Sequence, residues 1–71
     1  MPAKAKELMK VAGKLGFQKV RQKGSHAIWK HPDGRMTTIP VHGNSEIGGY
    51  LLHVILKQLG ISEDDFKRLR Q

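Results

Sequence analysis

The sequence predicts an α+β fold of two layers, in the order α-β-β-β-α with a short extra C-terminal helix. Three observations predict it. Apolar residues recur at helical spacing in Lys4–Leu15 and again from about Gly48 or Gly49 to Leu59. Strand formers gather between them, with Ile28-Trp29 and Thr37–Val41 the strongest. Gly24-Ser25 and Pro32-Asp33-Gly34 cut that middle region into three strands.

The elements follow in order. Leu8, Val11, Ala12 and Leu15 make one apolar stripe, with Lys6, Lys10 and Lys14 on other faces, and Gly16 stops the helix. Phe17 then folds back onto the last turn. Phe17 to Lys23 is the first strand, and Gly24-Ser25 is a tight reversal. His26 to His31 is the second strand. Pro32-Asp33-Gly34 is a hairpin turn, in which proline presets φ and glycine accepts φ > 0. Met36 to Val41 is the third strand, and Pro40 places it at an edge, where no ladder hydrogen bond is needed. Val41 to Ser45 is a loop. Leu51, Leu52, Ile55, Leu56 and Leu59 give the second helix a broad apolar stripe; Gly60 ends it and Ile61 packs back. Ser62 is an N-cap, with Glu63, Asp64 and Asp65 at the positive end of a third helix that runs to about Arg70 and buries Phe66 and Leu69. Both long helices need their stripes covered. Laying them on one face of a three-stranded antiparallel sheet does so and leaves the other face open, as in the double-stranded RNA-binding fold.

Seventy-one residues make one domain, 1–71, with a small core; a chain this size buries only about 60–65% of its unfolded surface. Any active site is therefore shallow. With no cysteine there is neither a disulfide framework nor a thiolate zinc site. No signal-like or membrane-spanning apolar run is present, which predicts a cytoplasmic protein with no membrane partner. The net charge of +7 is segregated: residues 1–44 hold nine Lys/Arg against two Asp/Glu, and residues 45–71 hold four of each. That asymmetry predicts a basic face for an anionic partner, with nucleic acid foremost.

Four histidines carry the possible chemistry. Alternation puts His26, Ile28 and Lys30 on one face of the second strand and Ala27, Trp29 and His31 on the other. His26 and His31 therefore form no metal pair, and no metal site is predicted. His26 is the candidate general acid/base, because an imidazole offers both protonation states near neutrality. RNA cleavage needs a proton taken from the ribose 2′-OH, a proton given to the departing 5′-oxygen, and a cation near the phosphorane. Lys23, Lys30 or Arg35 would supply the charge; Gly24 permits close backbone approach and Ser25 can donate a hydrogen bond. The plainer alternative is that His26 only caps a hairpin. His31 is expected to be structural, His53 a helix-surface residue, and His42 a loop residue able to orient a substrate or partner. Trp29 either packs against the helices, the commoner role of a lone strand tryptophan, or stacks on a base, and the same choice holds for Tyr50. Gly48-Gly49 before a helix is a weak anion-binding signal.

The helix end Leu15-Gly16-Phe17, the run Val20-Arg21-Gln22-Lys23-Gly24-Ser25-His26 and the hairpin His31-Pro32-Asp33-Gly34-Arg35 belong together with two further segments, Thr37-Thr38-Ile39-Pro40-Val41-His42 and Ile55-Leu56-Lys57-Gln58-Leu59-Gly60-Ile61-Ser62. Covering nearly the whole chain, they resemble the HicA family of toxins, the small mRNA interferases of bacterial and archaeal toxin–antitoxin pairs. The resemblance implies the double-stranded-RNA-binding-like fold, metal-independent endoribonuclease activity without a cofactor, and a cognate HicB-type antitoxin that covers the active face. It places the family's catalytic histidine on His26, and the glycine and residue before it on Gly24 and Ser25. One departure is Gly49-Tyr50-Leu51-Leu52, where many members have glycine-threonine-leucine-arginine, so that Leu52 stands in the basic position. The alternative to an endoribonuclease is a non-catalytic RNA-binding module using the same basic face. A DNA-binding module is a weaker third, since no basic recognition helix is visible.

Overall fold

The computed structural model of the chain describes residues 1–41 and 46–71. Its elements are β1 (Ala3–Lys4), α1 (Ala5–Lys14), β2 (Gln18–Lys23), β3 (His26–Lys30), β4 (Met36–Pro40), β5 (Glu46–Ile47), α2 (Gly49–Leu59) and α3 (Glu63–Leu69). The α-β-β-β-α order with its extra helix is therefore present, built on an antiparallel sheet in the order β2-β3-β4. A second, two-stranded ladder pairs β1 with β5, Ala3 opposite Ile47 and Lys4 opposite Glu46. Two-residue strands are too short to show alternation, so the sequence predicted a helix start at Lys4 and nothing at 46–47.

Both long helices end where glycine allows it. After α1, the Phe17 N–H donates to the Ala12 carbonyl at 2.9 Å and the Gly16 N–H to Gly13 at 3.1 Å, with Gly16 at φ +96°. After α2, Ile61 donates to Leu56 and Gly60 to Lys57, both at 3.1 Å, with Gly60 at φ +80°. These paired bonds satisfy the last carbonyls of each helix and turn Phe17 and Ile61 back onto it. Phe17 is buried and Ile61 packs against the core. Ser62 caps α3: its hydroxyl accepts from the Asp65 N–H at 3.1 Å, and its own N–H donates to the Asp65 carboxylate at 3.2 Å.

The core lies on one side of the sheet. Leu8, Val11, Ile39, Ile55, Leu59 and Phe66 are its largest fully buried apolar side chains. β4 supplies Thr37 and Ile39 to it and β3 supplies Ala27. Thr37 is the one buried polar residue among those described, and its hydroxyl donates to Gln58 Oε1 at 2.8 Å. Trp29 is on the same side, half-buried against the core, so its packing role stands.

Cross-strand register then assigns the other face. His26 lies opposite Pro40, Ile28 opposite Thr38 and Lys30 opposite Met36. On β2, Lys23 lies opposite His26, Arg21 opposite Ile28 and Gln18 opposite Lys30, with a register shift between Lys19 and Arg21. Paired residues share a face. The helix-free face thus carries Arg21, Lys23, His26 and Lys30 together. β2 is exposed along its whole length, and its cations keep that edge from pairing with another chain.

Candidate active site

The site grows from two hairpins. Gly24-Ser25 joins β2 to β3 with positive φ on Gly24 alone (+58°), as a type II′ turn requires. Lys23 and His26 are the cross-strand pair that closes it. The Pro32-Asp33-Gly34 hairpin lies at the opposite end of the sheet and is centred on Asp33, which brings Pro40 opposite His26. The Val41 N–H donates to the Ser25 carbonyl at 2.6 Å and extends the β3–β4 ladder past His26.

His26 is exposed and lines a cleft of about 530 Å³. Thr38 and Pro40 of the sheet stand beside it; Glu46, Ile47, Gly48 and Leu51 form the other wall. The cleft is therefore more apolar than polar, with walls from the open sheet face and from the β5–α2 junction. α2 begins there with Gly48 as its N-cap, no side-chain cap and no acidic residue in its first turn. Its first N–H groups thus keep the partial positive charge of a helix N-terminus beside the cleft.

The residues singled out from sequence do not all meet here. Lys23, Gly24, Ser25 and His26 come together at one hairpin end. Lys30 is on the same face but four residues along β3, roughly 13 Å away at strand rise. Arg35 is at the far hairpin and is engaged in the fold. Its Nε donates to Asp33 Oδ2 at 2.8 Å, its Nη1 donates to the Leu59 carbonyl at 2.6 Å, and its guanidinium carbon sits 5.1 Å from the Phe17 ring centroid. It ties the β3–β4 turn to the C-terminus of α2, where a cation is favourable. The Arg35 N–H also donates to Asp33 Oδ1, and this bond, with the guanidinium beside it, holds the Asp33 carboxyl below its ordinary range.

The other histidines divide as expected where they are described. His31 packs edge-on against Phe17 at 5.1 Å, and its Nδ1 accepts from the Asp33 N–H at 3.1 Å, a structural role. His53 is exposed on α2 with its ring 6.4 Å from that of Tyr50. His42 and its expected role lie outside the described residues. Leu52, which stands where many members have a basic residue, is 3% exposed and sits in the core, so its side chain offers no phosphate or antitoxin contact. Its neighbours on that turn of α2, Leu51 and His53, are both exposed. Among the described residues no three His, Asp or Glu side chains are grouped as metal ligands, and no helix is long and apolar enough to cross a membrane.

Sequence reasoning missed Thr38, Glu46, Ile47 and Leu51 as cleft residues. Thr38 was within reach: a hairpin centred on Asp33 places it opposite Ile28, on the His26 face. Glu46 and Ile47 enter through the β1–β5 ladder, which has no sequence signal of its own.

A family model described as the HicA toxin of bacterial toxin–antitoxin systems matches residues 5–61, from the start of α1 to the residue after Gly60. No curated protein matches the chain.

Proposed function

The chain belongs to the HicA toxin family of bacterial toxin–antitoxin systems, and on that footing we propose that it is a metal-independent endoribonuclease that cleaves mRNA with His26 as general acid/base. The observation that carries this reading is the placement of His26. It is exposed at the mouth of a cleft, on a helix-free face that also bears Lys23, Arg21 and Lys30. An imidazole there can reach a phosphodiester laid along the face, and Lys23 beside it opposes the charge that builds on the phosphorane. Gly24, lacking a side chain in open space, lets the RNA backbone approach, and Ser25 follows it in the turn. Lys30 and Arg21 extend the basic track for flanking phosphates. Arg35 is assigned to holding the fold and not to RNA.

An antitoxin partner goes with the family, and we propose that it is a HicB-type protein that covers this face in the cytoplasm. The alternative, a non-catalytic RNA-binding module, would use the same cations and leave RNA intact. The test is to incubate antitoxin-free protein with a long single-stranded RNA and chelator, beside His26→Ala. Fragments from the parent alone support the nuclease; intact RNA in both, with RNA retained in a gel shift, supports the binding module.

A further inference from the structure

In-line attack by a ribose 2′-OH on the adjacent phosphate needs proton transfers on opposite sides of the phosphorus, and His26, on one wall of the cleft, is placed for one of them. We propose that Glu46 makes the other: it takes the proton from the 2′-OH while His26 gives one to the 5′-oxygen. The proposal rests on the endoribonuclease reading and adds a second catalytic residue to it.

The geometry favours this pairing. Of the described residues that line the cleft, His26 and Glu46 are the two titratable ones. They stand on different walls, His26 on the open face of β3 and Glu46 on β5, before the start of α2. A ribose and phosphate lying in the cleft would therefore have a proton acceptor on one side and a donor on the other, as an in-line displacement needs. The cleft volume, about 530 Å³, is within the usual range for small-ligand sites, and Pro40, Ile47 and Leu51 give it an apolar side for a nucleobase. Carboxylates carry no proton at neutral pH and so act as acceptors, whereas imidazole can hold one to donate. Among the described residues, Lys4 lies opposite Glu46 in the β1–β5 ladder, Lys23 lies opposite His26 in the β2–β3 hairpin, and His26 and Glu46 line the same cleft.

The step balances. The 2′-oxygen forms its bond to phosphorus as its proton passes to Glu46. The bond from phosphorus to the 5′-oxygen breaks, and that oxygen takes the proton from His26. The products are a 2′,3′-cyclic phosphate and a 5′-hydroxyl, and proton exchange with water resets both side chains.

The test uses antitoxin-free protein, a mixed-sequence oligoribonucleotide and its all-2′-deoxy counterpart, which can bind but offers no nucleophile. Parent, Glu46→Gln, Glu46→Asp and His26→Ala are compared in kcat and KM from pH 4 to 9, in affinity for the deoxy oligonucleotide, and in melting temperature. The expected parent profile is bell-shaped. Glu46→Gln should lose about 10²-fold or more in kcat, the usual worth of a positioned acid or base. It should also lose the acidic limb of the profile, with affinity and melting temperature unchanged. Glu46→Asp, which keeps the carboxylate, should recover part of the rate. The proposal is overturned if Glu46→Gln keeps the acidic limb or cleaves within about threefold of the parent, if Glu46→Asp is as impaired as Glu46→Gln, or if the deoxy oligonucleotide is cut. Loss of cleavage in His26→Ala with full cleavage in Glu46→Gln sinks only this inference. An inactive parent sinks the nuclease reading itself.

Discussion

Lys23 and His26 face one another across the Gly24-Ser25 turn as the closing pair of the β2–β3 hairpin. Backbone pairing thus sets an ammonium and an imidazole side by side on the open face. Lys30, on the same face, lies four cross-strand pairs further along β3. Distance from His26 should therefore separate the two lysines in kinetics. Lys23→Ala is expected to lower kcat by about tenfold or more, because charge is lost where the phosphorane forms. Lys30→Ala should raise KM a few-fold with kcat kept, because a flanking phosphate contact is lost. Single-turnover cleavage at two salt concentrations separates these outcomes.

Gly24 sits at φ +58° with nothing within 4 Å of where a Cβ would be. Space is not the constraint; backbone conformation is. Gly24→Ala is expected to cost about 1–2 kcal/mol from the left-handed conformation alone. It should also loosen the Lys23–His26 pair, so that cleavage falls more than stability would explain. Urea unfolding and cleavage, both read at a temperature where the variant is folded, check this.

Arg35 gives the opposite pattern. Its bonds to Asp33 and to the Leu59 carbonyl join the β3–β4 turn to α2. Removing the guanidinium leaves the part-buried Leu59 carbonyl without its donor, at about 1.5–3 kcal/mol for a hydrogen bond to a charged group. Arg35→Ala should therefore unfold at lower urea while cleaving at the parent rate per folded molecule.

The pH dependence of stability follows from Asp65 and Asp33. The Ser62 backbone N–H, with help from its hydroxyl and Arg68, holds the Asp65 carboxyl below the ordinary value of 3.8. The Arg35 backbone N–H does the same for Asp33. A depressed folded-state value stabilises the fold above the unfolded value, and that contribution is lost as pH falls through the folded one. Melting temperature should accordingly drop below about pH 4. Asp65→Asn should show a flatter acid limb than the parent, with its deficit largest at neutral pH. A melting series from pH 2.5 to 7 measures it.

Much of this was readable from local chemistry. The glycines at 16 and 60, the Ser62 cap and the Pro32-Asp33-Gly34 turn each act within a few residues, so the sequence displays them directly. The alternation of His26 against Ala27 likewise separated the two faces of β3, and the burial of Ala27 then identified the open one. The fold contacts of Arg35 were not legible because its partners, Phe17 and Leu59, are distant in the chain, and a lone cation near a turn looks the same whether it meets RNA or a helix end. The apolar stripe of α2 was legible at Leu52, Ile55, Leu56 and Leu59, all buried, but not at Leu51, which helical spacing also put there and which is 48% exposed at the cleft. The second wall of the cleft depends on the β1–β5 ladder, a contact between two residues near the start of the chain and two after its midpoint, which no local pattern announces.

The most direct test of the central claim is the single-turnover rate of RNA cleavage, in chelator, for the parent and for His26→Ala at matched fractions folded. His26 is an exposed residue, so the variant should melt with the parent, and its rate should fall by about 10²-fold or more. A His26→Ala protein that melts with the parent and cleaves at the parent rate would contradict the account.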